Sequence, residues 1–266
     1  MQINNKDLTQ VIAVTSGKGG VGKTNISINL ALALAERDKS VILMDADLGL
    51  ANIDVLLNLK PMHNLSHVIE GECQLKDILI TGPGNIRIIP ASSGIKMMSH
   101  LTPAQNAGLI HAFDELEQGT DTLIIDTAGG LSDSVFRFCS AAQDILVLVC
   151  NDPASIADAY ALIKTLHRDH RVQRFNVVIN KVKTDAEGCA LFERLRTVTE
   201  QFLDVVLHLT AIIPQDDNIL RAVRKRLPFY LTYPDSNAIK SFKNLATEVD
   251  TYSKATRMSG RLTFFA

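Results

Sequence analysis

GKGGVGKT, residues 17–24, is the stretch from which the rest of this chain is read. An apolar run, VIAVTS (11–16), precedes it and a helical pattern, NISINLALALAER (25–37), follows. Strand, glycine loop and helix, in that order, are the setting in which G-x-x-x-x-G-K-[ST] cradles phosphates. The glycines let the backbone curl until successive N–H groups point inward, and the helix adds the positive end of its dipole. Gly17, Lys18, Gly19, Gly20, Val21, Gly22, Lys23, Thr24 and Asn25 are therefore the expected nucleotide-binding residues. Lys23 is expected to reach the β and γ phosphates of a bound polyphosphate, and the Thr24 hydroxyl to ligate Mg²⁺.

Bulk properties narrow the choice of class. The chain has 266 residues with 27 Lys+Arg against 29 Asp+Glu, so its overall charge does not advertise a nucleic-acid binder. Cys73, Cys139, Cys150 and Cys189 show no C-x-x-C spacing. They read as reduced thiols, which argues against a disulfide scaffold and against an iron–sulfur cluster. No apolar run reaches the ~18 residues of a membrane span, and the polar start MQINNKDLTQ is no signal peptide, so a cytoplasmic location is expected. No Pro/Gly/Ser linker divides the chain, and one domain over residues 1–266 is the economical reading.

The remaining segments alternate between strand and helix patterns. VILM (41–44) is a continuous apolar run, as expected of a strand buried on both faces of a parallel sheet, and Asp45 and Asp47 stand at its carboxyl end. Ligands of open α/β sheets bind outside the carboxyl ends of the strands, on the same rim as the phosphate loop. The two aspartates read either as site carboxylates or as caps of the next helix. Short helical pieces fill residues 52–80, where His63 and His67 are taken as surface residues; IRIIPAS (86–92) is a further strand, and a helix is expected from Pro103 to about Glu117.

TLIIDTAGG (122–130) places Asp126 at an expected strand end, a carboxylate positioned to hold Mg²⁺, with two glycines where the chain must approach the γ phosphate. Beyond it, residues 144–166 read as a strand, a turn holding Asp152, and an amphipathic helix. FNVVINKV (175–182) is one more strand with a polar end. Arg221, Arg224, Lys225 and Arg226 cluster on a helix; they read as a solvated face with cations near a helix C-terminus rather than as a contact for nonspecific DNA. The last helix starts near Ser236 with Ile239, Phe242, Leu245, Ala246, Val249 and Tyr252 at core spacing, ahead of a short tail at 257–266. Together these segments predict an α/β fold of the P-loop NTPase class, a mostly parallel central sheet with helices on both faces.

A second lysine, Lys18, follows the first glycine of the loop. The form K-G-G-x-G-K-T resembles the deviant Walker A loop of the MinD/ParA ATPases. The resemblance implies that Lys18 reaches across a dimer interface to the partner's ATP, giving an ATP-sandwiched homodimer. D-A-D-L-G-L-A-N (45–52) resembles switch I of MinD-like ATPases, which implies that Asp47 orients the attacking water while Asp45 lies near the metal's water shell. Asp47, Lys18 and Lys23 are then the catalytic residues, and Thr24, Asp45 and Asp126 the metal residues. By their places in the same pattern, Asp152 contacts Lys18 or the partner's ribose, Asn180 reads adenine through its side-chain amide, and Pro214 of the I-P-x-D turn lies against the base.

The wording VIAVTSGKGGVGKTN, LMDADLGLANIDVLL, VIEGECQLKDIL, HLTPAQNAGLI and SIADAYALIK is similar to that of the FleN/FlhG flagellar-number regulators, particularly the FleN type. The resemblance implies an ATP-binding, dimerising ATPase that restrains the AAA+ flagellar transcription activator FleQ, in a family that works opposite the flagellar GTPase FlhF. Two departures bear on this. MQINNKDLTQ lacks the D-Q-A-x-x-L-R element that stimulates the GTPase in some relatives. The chain also stops at LTFFA, about where the family's amphipathic membrane helix begins, so the expectation is either that 257–266 is that helix cut short or that membrane contact is weak or lost, any presence at the inner membrane or cell pole being peripheral. The competing readings are a DNA-partitioning ParA-like ATPase, a MinD-like division-site regulator, and a binding module whose hydrolysis is incidental.

Overall fold

Seven residues, Gln10–Ser16, form β1, the strand that delivers the chain into the glycine loop. All seven are buried, because the strand lies in the middle of a parallel sheet covered on both faces. The computed structural model describes residues 9–47, 52–91, 112–113, 116 and 119–256, with residues 252–256 described by backbone alone. Switch I positions 48–51, the tail at 257–266 and most of the helix expected from Pro103 lie outside these.

After β1 come α1 (Lys23–Ala35), β2 (Val41–Ala46), and the short helices α2 (Ile53–Leu56) and α3 (Leu65–Ile69). Next are β3 (Ile80–Thr81), β4 (Arg87–Ile89), β5 (Thr122–Gly129), α4 (Asp133–Ala141), β6 (Asp144–Cys150) and α5 (Pro153–His170). The chain continues through β7 (Arg174–Val182), α6 (Asp185–Phe202), β8 (Val206–Pro214), α7 (Asp217–Lys225), α8 (Phe229–Thr232) and α9 (Asn237–Thr256). The eight strands are ordered β3-β4-β2-β5-β1-β6-β7-β8, with only the short β3 antiparallel to its neighbour. This is the expected mostly parallel sheet. The β3–β4 pair at one edge was not expected; two residues are too few to show a period.

Alternation along β1 sends successive side chains to opposite layers. Ile12 and Val14 join the layer built from α1 and α9, with Leu30, Leu34, Phe242 and Leu245. Ala13 joins the other, with Val147, Leu162, Ile163 and Leu191. Residues 26–34 of α1 are all buried, since the helix is wedged between the sheet and α9. In α9, Ile239, Phe242, Leu245, Ala246 and Val249 are at most 5% exposed, matching the core spacing read from the sequence. The Tyr252 side chain lies outside the described residues. Ser236, expected as the cap of this helix, has its hydroxyl hydrogen-bonded to Asp216 and accepts from Asn218 Nδ2 at 3.2 Å.

One boundary is corrected: β5 does not end at Asp126 but runs on to Gly129, because pairing with β1 resumes at Ser16 after an irregularity. All four cysteines are free thiols. Among the described residues, no helix is long and apolar enough to cross a membrane.

Candidate nucleotide site

The loop, both switch aspartates, Asp126, Asp152 and Asn180 gather at the carboxyl ends of β1, β2, β5, β6 and β7. Gly22 sets the loop's exit. It is the N-cap of α1 with φ 102°, a left-handed conformation that favours glycine, and a Cβ there would stand 2.7 Å from Asn180 Nδ2. The first turn of α1 holds no acidic residue, so its positive dipole end is left for an anion. Lower in the loop, the Ser16 hydroxyl donates to the Lys18 carbonyl at 2.6 Å. Gly129 was expected to let the chain approach the γ phosphate. In the structure its close approach is to the loop itself, where a Cβ would stand 2.8 Å from Gly19 N.

Asp45 and Asp126 are register partners on the neighbouring strands β2 and β5. Asp126 is fully buried, and burial pushes its carboxyl up to about 7 against the pull of Thr24, Ser27 and Lys23. The Ser27 hydroxyl donates to its Oδ1 at 2.8 Å, while its Oδ2 is buried with no hydrogen-bond partner among the described residues. An orphaned carboxylate oxygen costs free energy unless something cationic or donating meets it. The donor set fits Mg²⁺, which takes one or two carboxylates and completes its shell with waters and substrate phosphates. It does not fit a protein-only metal cage: no group of three or more His, Cys, Asp or Glu is placed to hold a metal among the described residues.

Asp45 realises the capping alternative. Burial raises its carboxyl to about 6, yet three backbone amides hold it: Asp47 N donates to Oδ1 at 3.0 Å, and Asn52 N and Ile53 N donate to Oδ2 at 2.9 and 3.0 Å. It thus ties together the two ends of switch I and caps α2. Thr24 and Asp126 remain as the residues able to meet a metal directly. Asp47 is half-buried, its Oδ2 accepting from Asn52 Nδ2 at 3.3 Å, and its charge favours the protonated form of Lys23. Lys23 itself is buried; desolvation lowers its pKa, and Asp126 and Asp47 oppose that.

Lys18 forms an ion pair with Asp152 of its own chain. Hydrogen bonding to Asp152 raises the lysine's pKa and the same contact lowers the aspartate's. Asp152 also caps α5, accepting from Ala154 N at 2.9 Å. Of the roles open to it in the sequence, the structure shows two, turn residue and Lys18 contact.

Expected base contacts lie to one side. Pro214, the last residue of β8, lines a cleft of about 700 Å³ with Lys183, Gln215, Asp216, Asn218 and Asn237. The Asn180 amide, expected to read adenine, instead donates one N–H to the Val21 carbonyl at 2.8 Å, while its Oδ1 accepts from Lys181 N at 3.0 Å. Two residues of this site escaped the sequence reading. Ser27 stands one helical turn beyond Lys23 on the inward face of α1, a spacing from which its contact with Asp126 was in principle foreseeable. Lys181 donates from Nζ to the Gly20 carbonyl at 2.7 Å, and no motif marks it. Arg221, Arg224, Lys225 and Arg226 stand exposed at the end of α7, as a solvated face requires.

Residues 12–229 match the family model described as the CobQ/CobB/MinD/ParA nucleotide binding domain. The chain is 51% identical to the antiactivator FleN of Pseudomonas aeruginosa, an alignment covering 99% of this chain and 94% of that protein. It is 34% identical to the flagellum site-determining protein YlxH of Helicobacter pylori over 84% of this chain and 76% of the relative. Among solved structures, the septum site-determining protein MinD of Pyrococcus horikoshii complexed with Mg-ADP superposes with a TM-score of 0.73 at 22% identity, covering 95% of this chain and all of that one. A chain of the MinC:MinD cell division protein complex of Aquifex aeolicus gives 0.74 at 24% identity, covering 91% and 96%. At that identity, the two structures speak for the fold alone.

Proposed function

Because the chain belongs to the FleN/FlhG group of the MinD/ParA family of P-loop ATPases, we propose that it is an ATP-dependent dimerising switch that limits flagellar number. The observation that carries the reading is identity of 51% to an antiactivator sustained over 99% of the chain, connecting segments included. In this proposal the loop amides of residues 17–24 and the α1 N-terminus bind the triphosphate, Lys23 holds the β and γ phosphates, and Pro214 lies against the base. Thr24 and Asp126 would hold Mg²⁺, with Asp45 near its water shell; the metal, when bound, supplies charge neutralisation at the phosphates. Lys18 leaves Asp152 and engages the nucleotide of a second copy, so ATP binding and pairing become one event. Asp47 orients the water for slow hydrolysis, after which the cross-subunit contact is lost.

The partner proposed for the paired state is a FleQ-type AAA+ transcription activator, with an FlhF-type GTPase acting opposite in flagellar placement. The proposed location is cytoplasmic, with peripheral contact at the inner membrane or cell pole. The test is complementation of a strain lacking this gene. Wild type and Asp47→Ala are expected to restore low flagellar number and to repress activator-dependent promoters, Lys18→Ala and Lys23→Ala to fail. Repression by a Lys23→Ala protein that binds no ATP would overturn the switch and leave a nucleotide-independent binding module. Retention of duplex DNA by the ATP-bound wild type, lost with Arg224 and Lys225, would point instead to a partitioning ATPase.

A further inference from the structure

A phosphate nest needs its N–H groups turned inward, which turns carbonyls outward, and those carbonyls need partners of their own. Two outward carbonyls of this loop are met by adjacent residues at the end of β7. Asn180 Nδ2 donates to Val21 O at 2.8 Å, and Lys181 Nζ donates to Gly20 O at 2.7 Å. The lysine stem passes along the loop, its Cε 3.7 Å from where a Gly22 Cβ would be. To place both side chains on the same side, the backbone turns left-handed at Lys181 (φ 61°), and the β7–β8 pairing shifts register between Asn180 and Val182. A lysine held at positive φ is uncommon and carries a conformational cost. Asn180 Oδ1 offsets part of it by accepting from Lys181 N at 3.0 Å.

We infer that Asn180 and Lys181 are positioning residues for the phosphate loop: a two-residue clamp that holds Gly20 and Val21 with their carbonyls out and their amides in. The inference rests on the reading of residues 17–24 as a nucleotide site. It differs from the expected part of Asn180, since a clamp acts on every polyphosphate whatever base it carries, whereas an amide reading adenine acts on ATP alone. It also gives Lys181 a function that no charge or motif argument supplies: its ammonium serves the loop's carbonyl oxygen.

The experiment measures dissociation constants of ATP, GTP and inorganic tripolyphosphate, each with Mg²⁺, for the full chain and three variants. Lys181→Gly keeps the left-handed backbone and removes the ammonium, Lys181→Arg restores a donor, and Asn180→Ala removes the amide. Lys181→Gly should weaken all three ligands by a common factor of about three to ten, with its thermal midpoint unchanged, and Lys181→Arg should recover most of it. Asn180→Ala should likewise leave the ATP-to-GTP ratio where it was. Loss confined to ATP would overturn the clamp in favour of base reading, and unchanged affinities in Lys181→Gly would overturn it outright. A wild-type chain that bound none of the three would overturn the nucleotide site itself, a failure distinct from both.

Discussion

Lys18 and Asp152 are joined in an ion pair within one chain, although the lysine belongs to the loop and the aspartate to the cap of α5. The contact parks at home a cation proposed to act in a second copy. Both side chains keep solvent access, 27% and 44% exposed, so the pair is weakly held and can exchange Asp152 for a phosphate.

Asp152→Asn should therefore ease dimerisation. The amide oxygen still accepts from Ala154 N, so α5 keeps its cap, but the charge that detains Lys18 is gone. Sedimentation equilibrium with ATP should show pairing at about two- to fivefold lower protein concentration than wild type. Lys18→Ala should remain monomeric across the same range.

Asp47→Ala separates binding from turnover. Asp47 is half-buried and its Oδ2 accepts from Asn52 Nδ2 at 3.3 Å, within switch I, and its removal is expected to leave the loop and Asp126 in place. Phosphate release should fall by about 10² or more, the scale of a lost water-orienting carboxylate. ATP affinity should hold, and the dimer should persist after wild type has dissociated.

Ser27→Ala removes the 2.8 Å hydrogen bond to Asp126 Oδ1 in a fully buried position and leaves the carboxyl to Thr24 and the nearby Lys23 charge. Urea titration without metal should show a loss of about 1–3 kcal/mol. Added Mg²⁺ and ATP should recover part of it, since the ligands stabilise the folded state by mass action.

The buried carboxylates also set a pH dependence. With its pKa raised to about 7 from the ordinary 3.8, Asp126 holds its proton in the folded chain over a range where the unfolded chain has released it. More protons on the folded state means that stability falls as pH rises, here from near 4 to about 7, and is level on either side of that window. Asp45, raised to about 6, adds to the lower part. Denaturation of metal-free protein between pH 4.5 and 8 should show a decline on the order of 1–3 kcal/mol from Asp126, largely absent in Asp126→Asn. Mg²⁺ favours the ionised carboxylate and should flatten the wild-type profile.

Much of this was legible in the order of residues. The loop, its flanking strand and helix, the buried strands 41–44 and 144–150, and the core face of α9 follow from glycine spacing and from apolar periods, which are local properties. Asp126 was located correctly but misplaced within its strand, because where β5 stops depends on pairing with β1 beyond Val14. The two readings of Asp45 and of Asp152 stayed open, since a carboxylate near a helix start has one sequence signature whether it caps or catalyses.

What the sequence by itself determined is that residues 17–24 form a phosphate loop in a parallel α/β sheet and that Lys18, Asp47 and Asp126 stand near it. What only the tertiary structure decided is what those groups touch. Ser27 meets Asp126 across 99 residues of chain, and Asn180 and Lys181 meet Val21 and Gly20 across 159 and 161. Such contacts leave no periodic trace, because they depend on which strand ends the sheet order places side by side. The close approach of Gly129 to Gly19 has the same origin: it exists only because β1 and β5 are neighbours.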